Sequence, residues 1–341
     1  MQVWLSGRPP VRLDGDTLAP DTQLMLALLA RVGGPSIPEL GPVQARLRRR
    51  WMAAVVGGAP VPVGAVSGVL IDGPAGPLAA RHYVPAEGGE GLPLLVFYHG
   101  GGFVFGDLDT HDGLCRLLCR HGGAHVLAID YRLAPEHPFP AALDDAQAAF
   151  RWALANAERL GADPLRVAVA GDSAGGNLAA VVSQLAARAG EPIPAMQLLI
   201  YPVTDLVNRR RSRELFGEGF FLTDAEMDWF RAQYLGAEQG LEADPRISPL
   251  LSEDLAGLPP ALVVTAAFDP LRDEGEDYAG QLRAAGNYVL LRRVPGVVHG
   301  FASAGGASRR SRDAVVELAG ATRAMLARPV PAGVGGGAEA I

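Results

Sequence analysis

Gly171-Asp172-Ser173-Ala174-Gly175 has the spacing G-x-S-x-G, which occurs once in this chain. It fits a nucleophile held on a sharp strand-to-helix turn. Residues 166–170 read as a buried strand, and residues from Ala174 onward read as a helix. Glycines two positions either side of Ser173 let strand and helix approach, so the hydroxyl stands above the sheet and the first helix amides face the substrate. Three consecutive glycines, Gly100-Gly101-Gly102, follow His99 at the end of another strand, 92–98. Amides there meet no Cβ obstruction. Gly101 and Gly102 N–H, with that of Ala174, could receive the oxyanion of an acyl-transfer intermediate, each donor contributing about 3–4 kcal/mol. The alternative for the glycines is a phosphate-binding loop, but neither a following lysine nor a G-x-G-x-x-G pattern supports it.

A serine hydroxyl needs a base and an orienting acid. His299, in Val298-His299-Gly300-Phe301, directly follows the last strand. Asp269, in Ala267-Phe268-Asp269-Pro270, directly follows the one before it. Both positions are carboxyl ends of strands, where open α/β sheets place their sites. The other histidines are worse placed. His82 lies in an edge hairpin, His111 and His121 bracket a helix, His125 opens a strand and His137 sits in a proline-rich turn. His99 is expected to be structural.

Short β-rich runs begin near residue 63. They cover 66–71, 78–84, 92–98, 125–130, 166–170, 196–201, 261–266 and 288–294. Helical stretches at 141–160, 174–189 and 275–285 lie between the later ones. Continuous apolar runs alternating with helices predict an α/β fold, with a mostly parallel sheet of about eight strands flanked by helices on both sides. The first two runs, joined at Asp72-Gly73 and Gly76-Pro77, predict an antiparallel hairpin at one edge. Ahead of the sheet, helical patterns at 21–32 and 39–56 are separated by Gly33-Gly34-Pro35. About sixty residues separate the strands at 196–201 and 261–266, more than a crossover needs, and they contain one helical pattern at 223–235. The opening helices (1–60) and this insertion (205–245) are expected to form one cap over a catalytic domain made of 61–204 and 246–328. The glycine-rich tail, 329–341, is read as disordered.

Taken together, His99-Gly100-Gly101-Gly102-Phe103, Tyr131-Arg132-Leu133-Ala134-Pro135-Glu136, Gly171 to Gly176, Asp269-Pro270-Leu271-Arg272-Asp273-Glu274-Gly275 and His299-Gly300-Phe301 resemble the motifs of hormone-sensitive-lipase-like α/β-hydrolase esterases, bacterial family IV. The resemblance implies an α/β-hydrolase fold with a helical cap, and hydrolysis of short- to medium-chain acyl esters. It also implies a triad of Ser173, Asp269 and His299 and an oxyanion hole of Gly101, Gly102 and Ala174. Substrate-pocket candidates are Phe103, Phe220, Phe221 and Phe301; Phe220, Phe221, Trp229 and Phe230 read first as cap core, with Phe220 and Phe221, beside Gly219, the two to test as pocket residues. In the Tyr131 to Pro140 segment, three prolines predict a rigid loop pinned by an Arg132–Glu136 ion pair. An amidase, N-formyl hydrolase or lactonase would use the same residues. A non-catalytic receptor on this fold would be expected to have lost a triad member.

Composition narrows the field. The chain has 341 residues and a net charge of −7, and all 30 of its basic residues are arginine. Without lysine there is no Schiff base, no P-loop and no Ser-Lys dyad. The acidic balance argues against nucleic acid. Arginine without lysine, beside abundant Gly and Ala, fits a GC-rich bacterial source. Arg46, Arg48, Arg49 and Arg50 read as a solvated helix face, with a functional anion site as the lesser alternative, and no arginine is expected at the reaction centre. Cys115 and Cys119 read as reduced core residues, with no metal and no cofactor expected. Neither a signal peptide nor an apolar run of membrane-spanning length is evident near the start. The expectation is a cytoplasmic enzyme acting on a small-molecule ester, with no membrane partner and a homodimer left open.

Overall fold

The computed structural model describes residues 9–87, 91–236 and 240–327. The tail expected to be disordered, 329–341, lies outside the described residues. A two-stranded ribbon, β1 (Arg12–Leu13) and β2 (Asp16–Thr17), precedes helices α1 (Pro20–Val32) and α2 (Ile37–Val56). Ser36 and Glu39 close a capping box at the start of α2. The pattern read as one helix has a break: Gly41 adopts φ 68°, ψ 171°. Pro42 disfavours helical angles at the residue before it.

Strands β3 (Ala65–Gly73), β4 (Gly76–Val84), β5 (Leu92–Tyr98), β6 (His125–Ile129), β7 (Ala162–Asp172), β8 (Gln197–Ile200), β9 (Ala261–Phe268) and β10 (Val289–Val298) form one sheet. Its order is β10-β9-β8-β7-β5-β6-β4-β3. The β3–β4 and β4–β6 pairings are antiparallel and the others parallel. The edge hairpin is therefore present as expected.

The side-chain period of two divides the central strands between two cores. Leu94, Val96, Tyr98, Val169 and Val263 point to the face covered by α4 (Ala141–Asn156), α5 (Ala174–Ala189) and α8 (Arg272–Ala284). Leu95, Phe97, Ala168, Leu198 and Val264 point to the face covered by α3 (Asp112–Gly122) and α9 (Arg309–Leu326). Phe97 is fully buried, and truncating such a residue to alanine costs about 3–5 kcal/mol.

Between β8 and β9 lie α6 (Arg211–Phe216) and α7 (Asp224–Leu235). Sequence reading anticipated neither α6 nor α9. The first has only six residues. The second buries one face, Ala314, Val315, Leu318, Ala319, Thr322, Met325 and Leu326. The helix expected over 141–160 ends at Asn156 and resumes as a 3₁₀ turn, Glu158–Leu160. Among the described residues, no helix is long and apolar enough to cross a membrane.

Candidate active site

Steric necessity explains the glycines around Ser173. A Cβ on Gly175 would stand 1.9 Å from the Tyr98 carbonyl oxygen, and one on Gly171 2.2 Å from that of Gly175. Ser173 itself is held at φ 55°, ψ −116°, a sparsely populated backbone conformation that costs a non-glycine residue about 1–3 kcal/mol. Its N–H donates to Ile200 O at 2.8 Å, tying the turn to β8.

Ser173 follows β7, Asp269 follows β9 and His299 follows β10, all at the carboxyl ends of parallel strands. Ser173 Oγ lies 3.0 Å from His299 Nε2. His299 Nδ1 lies 2.8 Å from Asp269 Oδ2. The other carboxylate oxygen of Asp269 accepts the Leu271 N–H at 2.8 Å. With Nδ1–H donating to the carboxylate, Nε2 is left as the acceptor facing the hydroxyl. All three residues are buried. A hydroxyl, a base and an orienting acid are thus in hydrogen-bond sequence.

The glycine loop is anchored from below. Asp172 Oδ1 accepts the Gly100 N–H at 2.8 Å and lies 3.2 Å from His111 Nε2. Tyr201 donates to the other oxygen of Asp172 at 3.2 Å. Burial pushes the Asp172 carboxyl up, but His111 and the Gly100 N–H outweigh it and hold the group below the usual carboxylate range. Tyr131 donates to His99 O at 2.6 Å and stacks on the His99 ring. Burial lowers His99 to about 4, so this histidine stays neutral and packed. Asp172, His111, Tyr131 and Tyr201 were not singled out as site residues from sequence, because each acts on a group that only folding brings near: Asp172 and Tyr131 on the backbone of the glycine loop, His111 and Tyr201 on the Asp172 carboxylate.

Ser173, His299, Gly101 and Gly102 line one cavity of about 390 Å³. Gly101 and Gly102 have φ of 127° and 61°. Ala174 opens α5 directly behind Ser173 and is buried. Residues of α1, α2 and α7 also line it, among them Leu29, Met52 and Phe230.

The four candidate pocket phenylalanines separate. Phe103 and Phe221 line the cavity. Phe301 borders a smaller recess of about 50 Å³, to which His299 and Phe221 also contribute. Phe220 is a correction. Its ring packs 5.4 Å from Phe216 and 5.5 Å from Phe268 in an apolar cluster that Phe221 also touches, and it is not among the residues lining the cavity. Phe230, an expected cap-core residue, lines the cavity; a Cβ on Gly102 would meet its ring at 2.3 Å.

Two arginine expectations also fail. Arg132 pairs with Asp145 at 2.8 Å, whereas Glu136 pairs with Arg46 of α2 at 2.6 Å. Helix α2, placed beside that loop only by folding, supplies the nearer cation. Arg49 lines the cavity instead of a solvated face. Glu274 lines it too; burial raises its carboxyl to about 8 while Oε1 accepts the Thr204 N–H at 2.7 Å. Cys115 and Cys119 are buried free thiols. Among the described residues, no group of three or more His, Cys, Asp or Glu is disposed to hold a metal ion.

Comparison with known proteins adds to this geometry. Residues 95–303 match a family described as alpha/beta hydrolase fold. The carboxylic ester hydrolase LipN of Mycobacterium tuberculosis is 52% identical over 95% of this chain and 87% of its own length. An ethyl acetate hydrolase of Pseudomonas putida is 42% identical over 73% of this chain and 79% of its own. Among solved structures, a hyperthermophilic esterase from Pyrobaculum calidifontis superposes with a TM-score of 0.86 at 41% identity, covering 90% of this chain and 98% of that one. An ester hydrolase from the metagenome of Lake Arreo, complexed with a derivative of bipyridine phosphonate, gives 0.87 at 45% identity with the same coverage.

Proposed function

Because the chain belongs to the α/β-hydrolase family, in its hormone-sensitive-lipase-like bacterial branch (family IV), we propose that it hydrolyses carboxylic esters through an acyl-enzyme on Ser173. The observation that carries this reading is the hydrogen-bonded series Asp269–His299–Ser173 opening into the cavity that Gly101 and Gly102 also line. Ser173 Oγ attacks the acyl carbon as its proton passes to His299 Nε2. Asp269 holds the imidazole in the tautomer that can accept it and stabilises the imidazolium. The amides of Gly101, Gly102 and Ala174 receive the oxyanion. His299 returns the proton to the departing alcohol, and a water activated by the same imidazole then releases the acid and restores Ser173.

In this reading, residues 1–60 and 205–245 act as a cap over a catalytic domain of 61–204 and 246–328. The cavity is at the small end of the range for ligand sites, which supports short- to medium-chain acyl groups. A cytoplasmic location belongs to the same proposal, supported by the two free thiols.

Incubation with a serine-reactive phosphonate followed by intact-mass measurement tests the assignment. The wild-type chain is expected to gain one adduct and Ser173→Ala none. The same variant should remain folded and lose about 10⁴-fold or more of its turnover of 4-nitrophenyl butanoate. An adduct on folded Ser173→Ala, or activity near wild type, would remove Ser173 from the mechanism.

A further inference from the structure

Four arginines line the cavity: Arg48, Arg49, Arg213 and Arg231. Three are engaged. Arg48 donates to the Pro35 carbonyl, Arg213 pairs with Asp224 and Asp228, and Arg231 lies 3.6 Å from Asp228. Arg49 is different. Its guanidinium carbon lies 5.7 Å from the centre of the Phe105 ring and 5.2 Å from that of Phe221. Among the described residues it makes no hydrogen bond and no ion pair. A guanidinium carries five N–H donors in a rigid fork. Ring faces attract its charge but leave those donors without strong acceptors.

The acids lining the same cavity are already occupied. Asp172 holds the Gly100 N–H, Asp205 pairs with Arg210 and Asp228 with Arg213. Glu226 accepts from the Thr223 amide and hydroxyl, and Glu274 from the Thr204 and Asp205 amides. Burial weakens the Arg49 cation, and the negative charges of Asp172 and Glu226 only partly offset this from beyond ion-pair distance. The position is close to the chemistry. Phe221 packs on the residue after His299, since a Cβ on Gly300 would come within 3.1 Å of its ring.

We propose that Arg49 is an anion subsite of this cavity, and that the favoured substrates carry a carboxylate in addition to the ester. The inference rests on the ester-hydrolase reading and narrows its substrate class. A carboxylate fits the fork with two parallel N–H···O bonds, at a site where the protein supplies the cation and no counter-ion within reach.

Two matched ester pairs test it, one charged on the acyl side and one on the alcohol side. The first is mono-4-nitrophenyl adipate against 4-nitrophenyl heptanoate. The second is 4-acetoxybenzoate against 4-methylphenyl acetate, followed by pH-stat. The quantity read is the charged-to-neutral ratio of kcat/KM. In at least one pair it should fall tenfold or more in Arg49→Gln and be largely kept in Arg49→Lys. Arg49→Met, which keeps an unbranched stem between the two rings, should lose the ratio as Arg49→Gln does and guards against a change of fold. Equal ratios in wild type and both neutral variants overturn the inference while leaving ester hydrolysis intact. A wild-type chain that hydrolyses none of the four esters overturns the hydrolase reading and this inference with it.

Discussion

Asp172 accepts the backbone N–H of Gly100 at 2.8 Å across 72 residues of sequence, so the residue before the proposed nucleophile also fixes the loop before the proposed oxyanion donors. Removing that carboxylate strips His111 and Tyr201 of their shared acceptor and leaves the Gly100 amide buried without a partner. Each lost bond to a buried charged group is worth about 1.5–3 kcal/mol. Asp172→Ala is therefore expected to melt well below wild type and to lose roughly 10–100-fold in kcat, in line with a disturbed oxyanion site. Asp172→Asn, which keeps an acceptor for Gly100, should retain most of kcat. Calorimetry and steady-state kinetics on both variants would check this, and an unchanged kcat in Asp172→Ala would refute the link.

Gly102 is constrained twice. Its φ of 61° disfavours a side chain, and an added Cβ would stand 2.3 Å from the Phe230 ring. Gly102→Ala should cut kcat/KM by about 10²–10³-fold. Pairing it with Phe230→Leu relieves the clash but not the backbone strain, so the double variant should recover only part of the loss. Full recovery would show that the ring alone imposes the glycine.

Arg46 ties α2 to the loop after β6. It donates to Val104 O at 2.8 Å, to Ala134 O at 2.9 Å and to both carboxylate oxygens of Glu136, whose carboxyl it holds down to about 2. The Glu136 side chain is 48% exposed, so the ion pair itself contributes less than about 1 kcal/mol. The two carbonyls left without a donor cost about 1–2 kcal/mol each. Arg46→Ala should lower Tm by several degrees and speed amide exchange across 131–136. Glu136→Gln should do neither to a comparable extent.

His82 Nε2 and His125 Nδ1 lie 2.9 Å apart and buried, one ring on β4 and the other on β6. Burial first, and then the neighbouring ring, lowers His82 to about 4, against about 6.5 in an unfolded chain. Between these values the unfolded state binds more protons, so stability rises with pH there. The contribution is complete above pH 6.5 and is lost as pH falls toward 4. Tm should drop over that window, and the drop should be smaller in His82→Gln, which keeps a hydrogen-bonding group but does not titrate. Parallel Tm–pH curves for the two proteins would exclude the pair as a source of acid sensitivity.

Short-range pattern sufficed for the strands, most helices and the proposed triad, because each depends on local steric rules. Continuous apolar runs mark strands covered on both faces. Gly171 and Gly175 mark a turn where backbones come within van der Waals contact. Asp269 and His299 stand at strand ends whose positions periodicity already locates. Folding alone determined what depends on two segments meeting. Phe221 reaches the cavity while Phe220 packs on Phe216 and Phe268, because which of two adjacent rings meets a cavity depends on the segments packed around them. Glu136 takes its cation from α2 and Arg132 takes its anion from α4, because side chains pair with the opposite charge that packing brings near. Arg49 belongs to a run that looks solvated in one dimension, and the packing of α2 against α7 turns that one guanidinium inward between Phe105 and Phe221.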